Sequence, residues 1–208
     1  GSPVYEKKMT VLDETPDWVD EGDESSSSAE QRSDEEPSFI PNDPEYDQQW
    51  HYNNTGQTGG TPDADINLPE AHDITTGSPN VVISIIDSGL DIDHPEFQGM
   101  VWINDAEDIN NDGAFTSADL NGVDDDGNGF VDDVAGYNHV DDAPLDPNTP
   151  AGSESHGTHV AGTVAAKNGN GQFGAGVAGG DGSADSGVRL MVNQTFAPGG
   201  GGFAEGIV

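Results

Sequence analysis

The longest apolar run in the chain is Val81-Val82-Ile83-Ser84-Ile85-Ile86, nearly all β-branched and broken by one serine. That pattern predicts a strand buried on both faces, as in a parallel sheet. The run leads straight into Asp87-Ser88-Gly89, so a carboxylate stands at the carboxyl end of a strand. Open α/β sheets gather their ligands and chemistry at that end. Ser155 to Ala166 is a run of small, helix-compatible residues with His156 at its start, preceded by a polar loop. Val188 to Phe196 reads as a further strand, Val134 to Val140 as a weaker one, and Pro69 to Ile74 as a short helix ended by Thr75 to Pro79. Phe203 to Val208 reads as the first residues of another helix. Strand, helix, strand, helix in this order argues for a parallel α/β sheet.

Between these elements the chain is polar. Residues 1–40 include Glu21-Gly22-Asp23-Glu24-Ser25-Ser26-Ser27-Ser28 and Asp34-Glu35-Glu36-Pro37, with too few apolar side chains to form a core. They are expected to be an acidic disordered linker. Val4-Tyr5 and Met9 to Leu12 read as a short strand ahead of that linker; residues 41–208 hold the other elements, and Pro41 to Trp50, with its prolines and aromatics, is expected to be an arm packed on the domain surface. Asn104 to Asp133 is a long Asp/Asn/Gly loop.

Charge narrows the choice of partners. The 208 residues carry 40 acidic and 5 basic side chains, a formal net charge of -35. Nucleic acid and anionic membrane both need Lys or Arg to meet phosphate, so both are excluded as partners. Multivalent cations or a saline medium would relieve the self-repulsion. The absence of cysteine excludes disulfides, thiolate metal sites and thiol catalysis. No apolar run approaches the roughly 18–20 residues of a membrane helix. The chain opens on Gly1-Ser2, which is read as the start of a processed, tagged or excised piece.

Asp87 and His156 form the candidate chemical pair. A buried carboxylate that accepts from one imidazole nitrogen fixes the tautomer, leaving the other nitrogen free to act as a base. Taken together, the two segments resemble a known family. Ile85-Ile86-Asp87-Ser88-Gly89-Leu90-Asp91-Ile92-Asp93-His94-Pro95-Glu96-Phe97 is similar to the aspartate motif of subtilisin-like serine proteases, the subtilases. His156-Gly157-Thr158-His159-Val160-Ala161-Gly162 is similar to their histidine motif. Asn42-Asp43-Pro44 with Gln49-Trp50, and Gly176-Val177-Ala178-Gly179, extend the likeness from about residue 41 to the end. The resemblance implies a parallel-sheet subtilisin-like α/β fold, truncated before the segment carrying the catalytic serine. It implies that Asp87 orients His156, and that His156 acts as general base toward a serine in a later Gly-Thr-Ser motif. No such motif occurs in these residues, so the chain by itself is expected to be inactive. The resemblance also assigns Gly200, Gly201 and Gly202 to an edge that pairs with the substrate backbone, although the glycines read equally as a flexible turn.

Metal ligation is the second candidate chemistry. Asp108, Asn110 and Asp112, followed by Gly113, reproduce the opening of an EF-hand loop, with Asp119 at the twelfth position. Asp124, Asp126 and Asn128 repeat the spacing with Asp132 as a further donor, but the twelfth position is Ala135. The resemblance implies another calcium site beside the arm, built from Asp43, Glu96 and the Lys167 to Val177 loop with Asn170 as a side-chain ligand. The expected cofactor is therefore Ca2+. The expected partners are a protein or peptide substrate and an inhibitory propeptide, of which residues 1–40 would hold the tail or the linker. The family implies a secreted enzyme, and the acidity suits a saline environment. Two alternatives are a non-catalytic calcium-binding module and a pseudoprotease that binds peptides without turnover.

Overall fold

The computed structural model describes residues 37–148, 155–197 and 200–202. The expectations for the first 36 residues and for Phe203 to Val208 lie outside them. Among the described residues, helix α1 spans Leu68–His72 and strand β1 spans Val82–Asp87. Strands β2, Gly136–Asn138, and β3, Ala143–Pro144, follow. Then come helix α2, Ser155–Ala165, and strands β4, Arg189–Gln194, β5, Phe196–Ala197, and β6, Gly200–Gly202. Short 3-10 turns cover Tyr46–Gln48 and Pro95–Phe97.

The four-stranded sheet has the order β1-β4-β2-β3. Strand β4 is parallel to both β1 and β2, and only the short β2–β3 pair is antiparallel. The register sets Val82 opposite Arg189 and Asp87 opposite Gln194, so β1 and β4 end together. The fold is the mainly parallel α/β arrangement that the apolar runs predict.

Strand β1 departs from its sequence pattern in one respect. It is not buried on both faces: Ile85 is buried, whereas Val82 and Ile86 are 42% and 45% exposed. The reason is packing from one side. Helix α2 brings Ala161 and Ala165 into a core with Ile85, Leu190 and Val192, with Ile83 packed against it. The face that carries Val82, Ser84 and Ile86 is exposed among the described residues. There Ser84 Oγ accepts a hydrogen bond from the Asn193 amide of β4 at 2.8 Å.

The buried stripe of α2 is Gly157, Ala161 and Ala165, four residues apart, so small side chains let the helix lie close to the sheet. The arm is pinned to the same region. Gln49 bridges both backbone groups of Ala175, at 2.8 and 2.9 Å, and the Tyr52 hydroxyl donates to the Thr163 carbonyl. Tyr46, Tyr52, Leu68 and Ala175 form a second, smaller core beneath it.

Candidate active site and acidic loops

Strand β1 delivers Asp87 at its carboxyl end, and α2 presents His156 in its first turn. The imidazole Nδ1 lies 2.7 Å from Asp87 Oδ1, which also accepts the Ser88 backbone N–H at 2.7 Å. Burial opposes charge on Asp87, but the hydrogen bonds from His156 and Ser88 and the imidazole's charge outweigh it and hold the carboxyl below its ordinary value. An ionised carboxylate can only accept, so Nδ1 carries the proton of this hydrogen bond, and Nε2 is the nitrogen left to exchange a proton with a reactant. The His156 side chain is 77% exposed, against 12% for Asp87. One nitrogen is thus fixed from beneath while the ring stays open to a reactant.

The approach of helix to strand end is held by two further hydrogen bonds. Gly157 N–H donates to Ser88 Oγ at 3.1 Å, and Asp91 N–H donates to Thr158 Oγ1 at 3.0 Å. A Cβ at Gly157 would collide with the Gly89 carbonyl oxygen and would also press on Asp87 Cβ. Glycine after the histidine is therefore a steric requirement of the Asp87–His156 distance. Strand β6 pairs antiparallel with β5, Phe196 opposite Gly202 and Ala197 opposite Gly200, through an irregular register. Gly200, Gly201 and Gly202 thus form a strand rather than a plain turn.

The structure brings Asp43, Glu96 and Asn170 together. Asp43 is buried and its carboxylate accepts the backbone N–H groups of Gly169, Asn170 and Gly171 at 2.7–3.1 Å. Asn170 Nδ2 reaches Glu96 Oε1 at 3.3 Å. Glu96 is 3% exposed, and its Oε2 has no hydrogen-bond partner. Burial, together with the nearby Asp43 charge, pushes its pKa up to about 7 despite the Asn170 hydrogen bond. A buried, half-satisfied carboxyl beside a second carboxylate is chemistry that a hard cation relieves, so these residues fit calcium.

The loop from Asp108 closes partly. Asp108 accepts from Asp112 N–H and Gly113 N–H, Asn110 Oδ1 from Asp112 N–H, and Asp112 from Ala114 N–H. Asp119 is fully buried, one oxygen accepting from Thr116 and the other unpartnered. The carboxylates of Asp108, Asp112 and Asp119 nevertheless do not converge on one point among the described residues.

The next loop is rearranged relative to its spacing. Asp124 and Asp126 have oxygens within 4.8 Å of each other and of a Glu107 oxygen. Asn128 gives its amide N–H to Asp126 and to Asp133. Asp132 instead accepts the Asn121 and Gly122 backbone N–H groups and stands apart from that group. Glu107 was not among the residues singled out by sequence. The backbone N–H groups it accepts, on Asp125 and Asp126, lie 18 and 19 residues away, beyond any local spacing rule.

These features agree with comparison to known proteins. The profile described as Subtilase family (Peptidase S8) matches residues 78–192. Neuroendocrine convertase 2 of Bos taurus is 32% identical over 155 residues, 74% of this chain and 19% of that protein. Subtilisin-like protease 1 of Plasmodium vivax is 40% identical over 91 residues, 43% of this chain and 12% of that protein. The chain thus spans about a fifth or less of the length of these relatives. The Aeromonas sobria serine protease, solved in complex with the chaperone ORF2, shares the fold at a TM-score of 0.52 and 22% identity, over 81% of this chain and 22% of that one. The matched residues include Asp87, His156 and most of the sheet that positions them, and the chain belongs to the subtilase family.

Proposed function

We propose that the chain supplies the aspartate and histidine of a serine endopeptidase, and that His156 acts as general base toward a serine held elsewhere in the parent polypeptide. The observation that carries this reading is the 2.7 Å bond from His156 Nδ1 to the ionised Asp87, on an otherwise exposed ring. In the acyl-transfer cycle His156 Nε2 takes the serine proton as the serine oxygen attacks the scissile carbonyl. It then returns that proton to the leaving amine. Asp87 stays ionised and stabilises the imidazolium between the two steps. These 208 residues contain no Gly-Thr-Ser motif, so the chain alone is inactive in this reading.

Gly200, Gly201 and Gly202 serve as an edge for the substrate backbone. Without side chains, the strand lets an extended peptide come within main-chain hydrogen-bonding distance. The substrate is a protein or peptide, and residues 1–40 are the tail of an inhibitory propeptide with its linker. The enzyme works outside the cell, where calcium is abundant. Support for this comes from the charge of -35, which a medium rich in divalent cations would relieve. Calcium would be held by Asp43, Glu96 and Asn170, whereas the Asp108, Asp112 and Asp119 carboxylates, which do not converge, do not fit one ion. Its chemistry there is charge neutralisation and loop ordering, remote from the acyl transfer.

A fluorophosphonate probe on the parent protein tests the reading. Labelling of one serine, abolished by His156→Ala, is the expected result. A second reading, a calcium-binding module without turnover, is favoured by the unpartnered buried oxygens of Glu96 and Asp119. It predicts calcium affinity with no labelled serine.

A further inference from the structure

We propose that the cavity between the N-terminal arm and helix α2 is a binding site for an alkylguanidinium group, the chemistry of an arginine side chain. The cavity holds about 350 Å³, within the size range of small-molecule sites. Glu45 and Gln49 of the arm line it on one side, and Thr158, Gly162 and Thr163 of α2 on another. These helix positions stand on a different face from the buried stripe of Gly157, Ala161 and Ala165. Neither Asp87 nor His156 lines the cavity, and of the residues that fit calcium it shares Glu96 alone.

The lining is acidic and aromatic. Glu96 is 3% exposed; its Oε1 is met by the Asn170 amide, and its Oε2 has no partner. Glu45 is exposed, so a second carboxylate stands on the solvent side. No lysine or arginine is among the residues that line the cavity. His94 enters as a neutral ring, since its Nδ1 accepts the Glu96 N–H at 3.3 Å. That ring lies 5.2 Å from Phe173 and 5.7 Å from Phe97, centroid to centroid, so the three make one aromatic wall. Aromatic faces attract a planar, weakly hydrated organic cation more than a metal ion that keeps its water. Phe173 is 47% exposed and has a φ of 36°, a left-handed conformation that bulky side chains rarely take. Burial and backbone preference leave a phenylalanine there unexplained, whereas stacking on a ligand accounts for it.

The walls are fixed to one another before any ligand arrives. Glu45 N–H donates to the Phe173 carbonyl at 2.7 Å, and Gln49 holds both backbone groups of Ala175. Little ordering would oppose binding. A guanidinium head would donate to Glu96 Oε2 in a charge-assisted bond, with its methylene stem along Phe97 and Phe173. Binding of this kind needs neither proteolysis nor calcium. The group could belong to an arginine of a peptide or to a free alkylguanidine.

Calorimetry of the full chain in chelator at pH 8, with n-butylguanidinium against the neutral isostere n-butylurea, tests the site. One equivalent of the guanidinium is expected to bind, at least about tenfold more tightly than the urea. Phe173→Ala and Glu45→Gln, both at exposed positions, should each weaken it by about three- to tenfold, and Glu96→Gln by about tenfold or more. Glu70→Gln, at an exposed acid of α1, should change nothing. Equal binding of guanidinium and urea, or full affinity in Phe173→Ala, would overturn the proposal. Equal weakening by Glu70→Gln and Glu45→Gln would do the same, because the cation would then be answering the net charge at large. Should the variants fail to fold, the ring protons of His94 and Phe173 in the wild type decide: they are expected to shift on saturation, and unmoved signals would refute the site. Acetyl-Gly-Arg-Gly-amide then separates the sources, since tighter binding than n-butylguanidinium assigns the site to a peptide arginine and weaker binding to a free alkylguanidine.

Discussion

Glu96 gives the sharpest link between the geometry and a measurable free energy. In the folded, metal-free protein its pKa is raised to about 7, first by burial and then by the Asp43 charge. In the unfolded chain it returns to the ordinary value of 4.5. Below that value both states hold the proton and Glu96 contributes nothing to pH dependence. Between the two values only the folded state holds it, so stability falls as pH rises, and the full cost is present above about pH 7. A gap of two to three pH units corresponds to about 3 kcal/mol. Glu96→Gln keeps the shape and the Asn170 contact but cannot ionise. Measured by urea unfolding in chelator, the variant is expected to gain on the wild type from near zero at pH 4.5 to about 3 kcal/mol at pH 8. In saturating calcium the order should reverse at pH 8, because the ionised wild type binds the ion and the amide does not. A difference between wild type and variant that stays flat from pH 4.5 to 8 in chelator would refute the reasoning.

Other outcomes follow from the same coordinates. Asp87→Asn should lower kcat of the parent enzyme by about 10^4-fold with little change in KM, since the amide supports the wrong tautomer; an effect below tenfold in a steady-state peptide assay would exclude Asp87 as the orienting group. Gly157→Ala should push α2 off the Gly89 carbonyl, costing about 1–3 kcal/mol in thermal or urea unfolding and reducing turnover further; unchanged stability would mean that the helix start is not the close-packed contact described. Chelation should lower Tm, and calcium should restore it where sodium at equal ionic strength does not; equal recovery would assign the effect to screening.

The parts of the fold legible in sequence were those set by local pattern. The β-branched run gave a strand ending at Asp87, and the helix begins at Ser155, beside His156, as its small-residue run implies. The exposure of Val82 and Ile86 was not legible, because burial of a strand face depends on which element lies over it. The same holds in the acidic loops. Asp124 and Asp126 follow a spacing rule and converge, whereas Asp132 fits the rule and is drawn to the Asn121–Gly122 backbone instead. Glu107 reaches its partners only through folding of the long loop, and no short motif records a contact across 18 residues. Asp43, Glu96 and Asn170 were assembled from three separate stretches by likeness to a family, and the structure joins them through contacts that span 74 to 127 residues.

The central claim is that His156, oriented by Asp87, is the base for a serine outside these residues. Active-site titration of the parent protein with a fluorophosphonate, comparing wild type with His156→Ala and mapping the modified residue, tests it most directly. The account predicts stoichiometric labelling of one serine in a Gly-Thr-Ser motif, falling by at least about 10^3-fold in rate in the variant. Labelling of the variant at the wild-type rate, or a fully calcium-loaded wild type that labels nowhere, would contradict it.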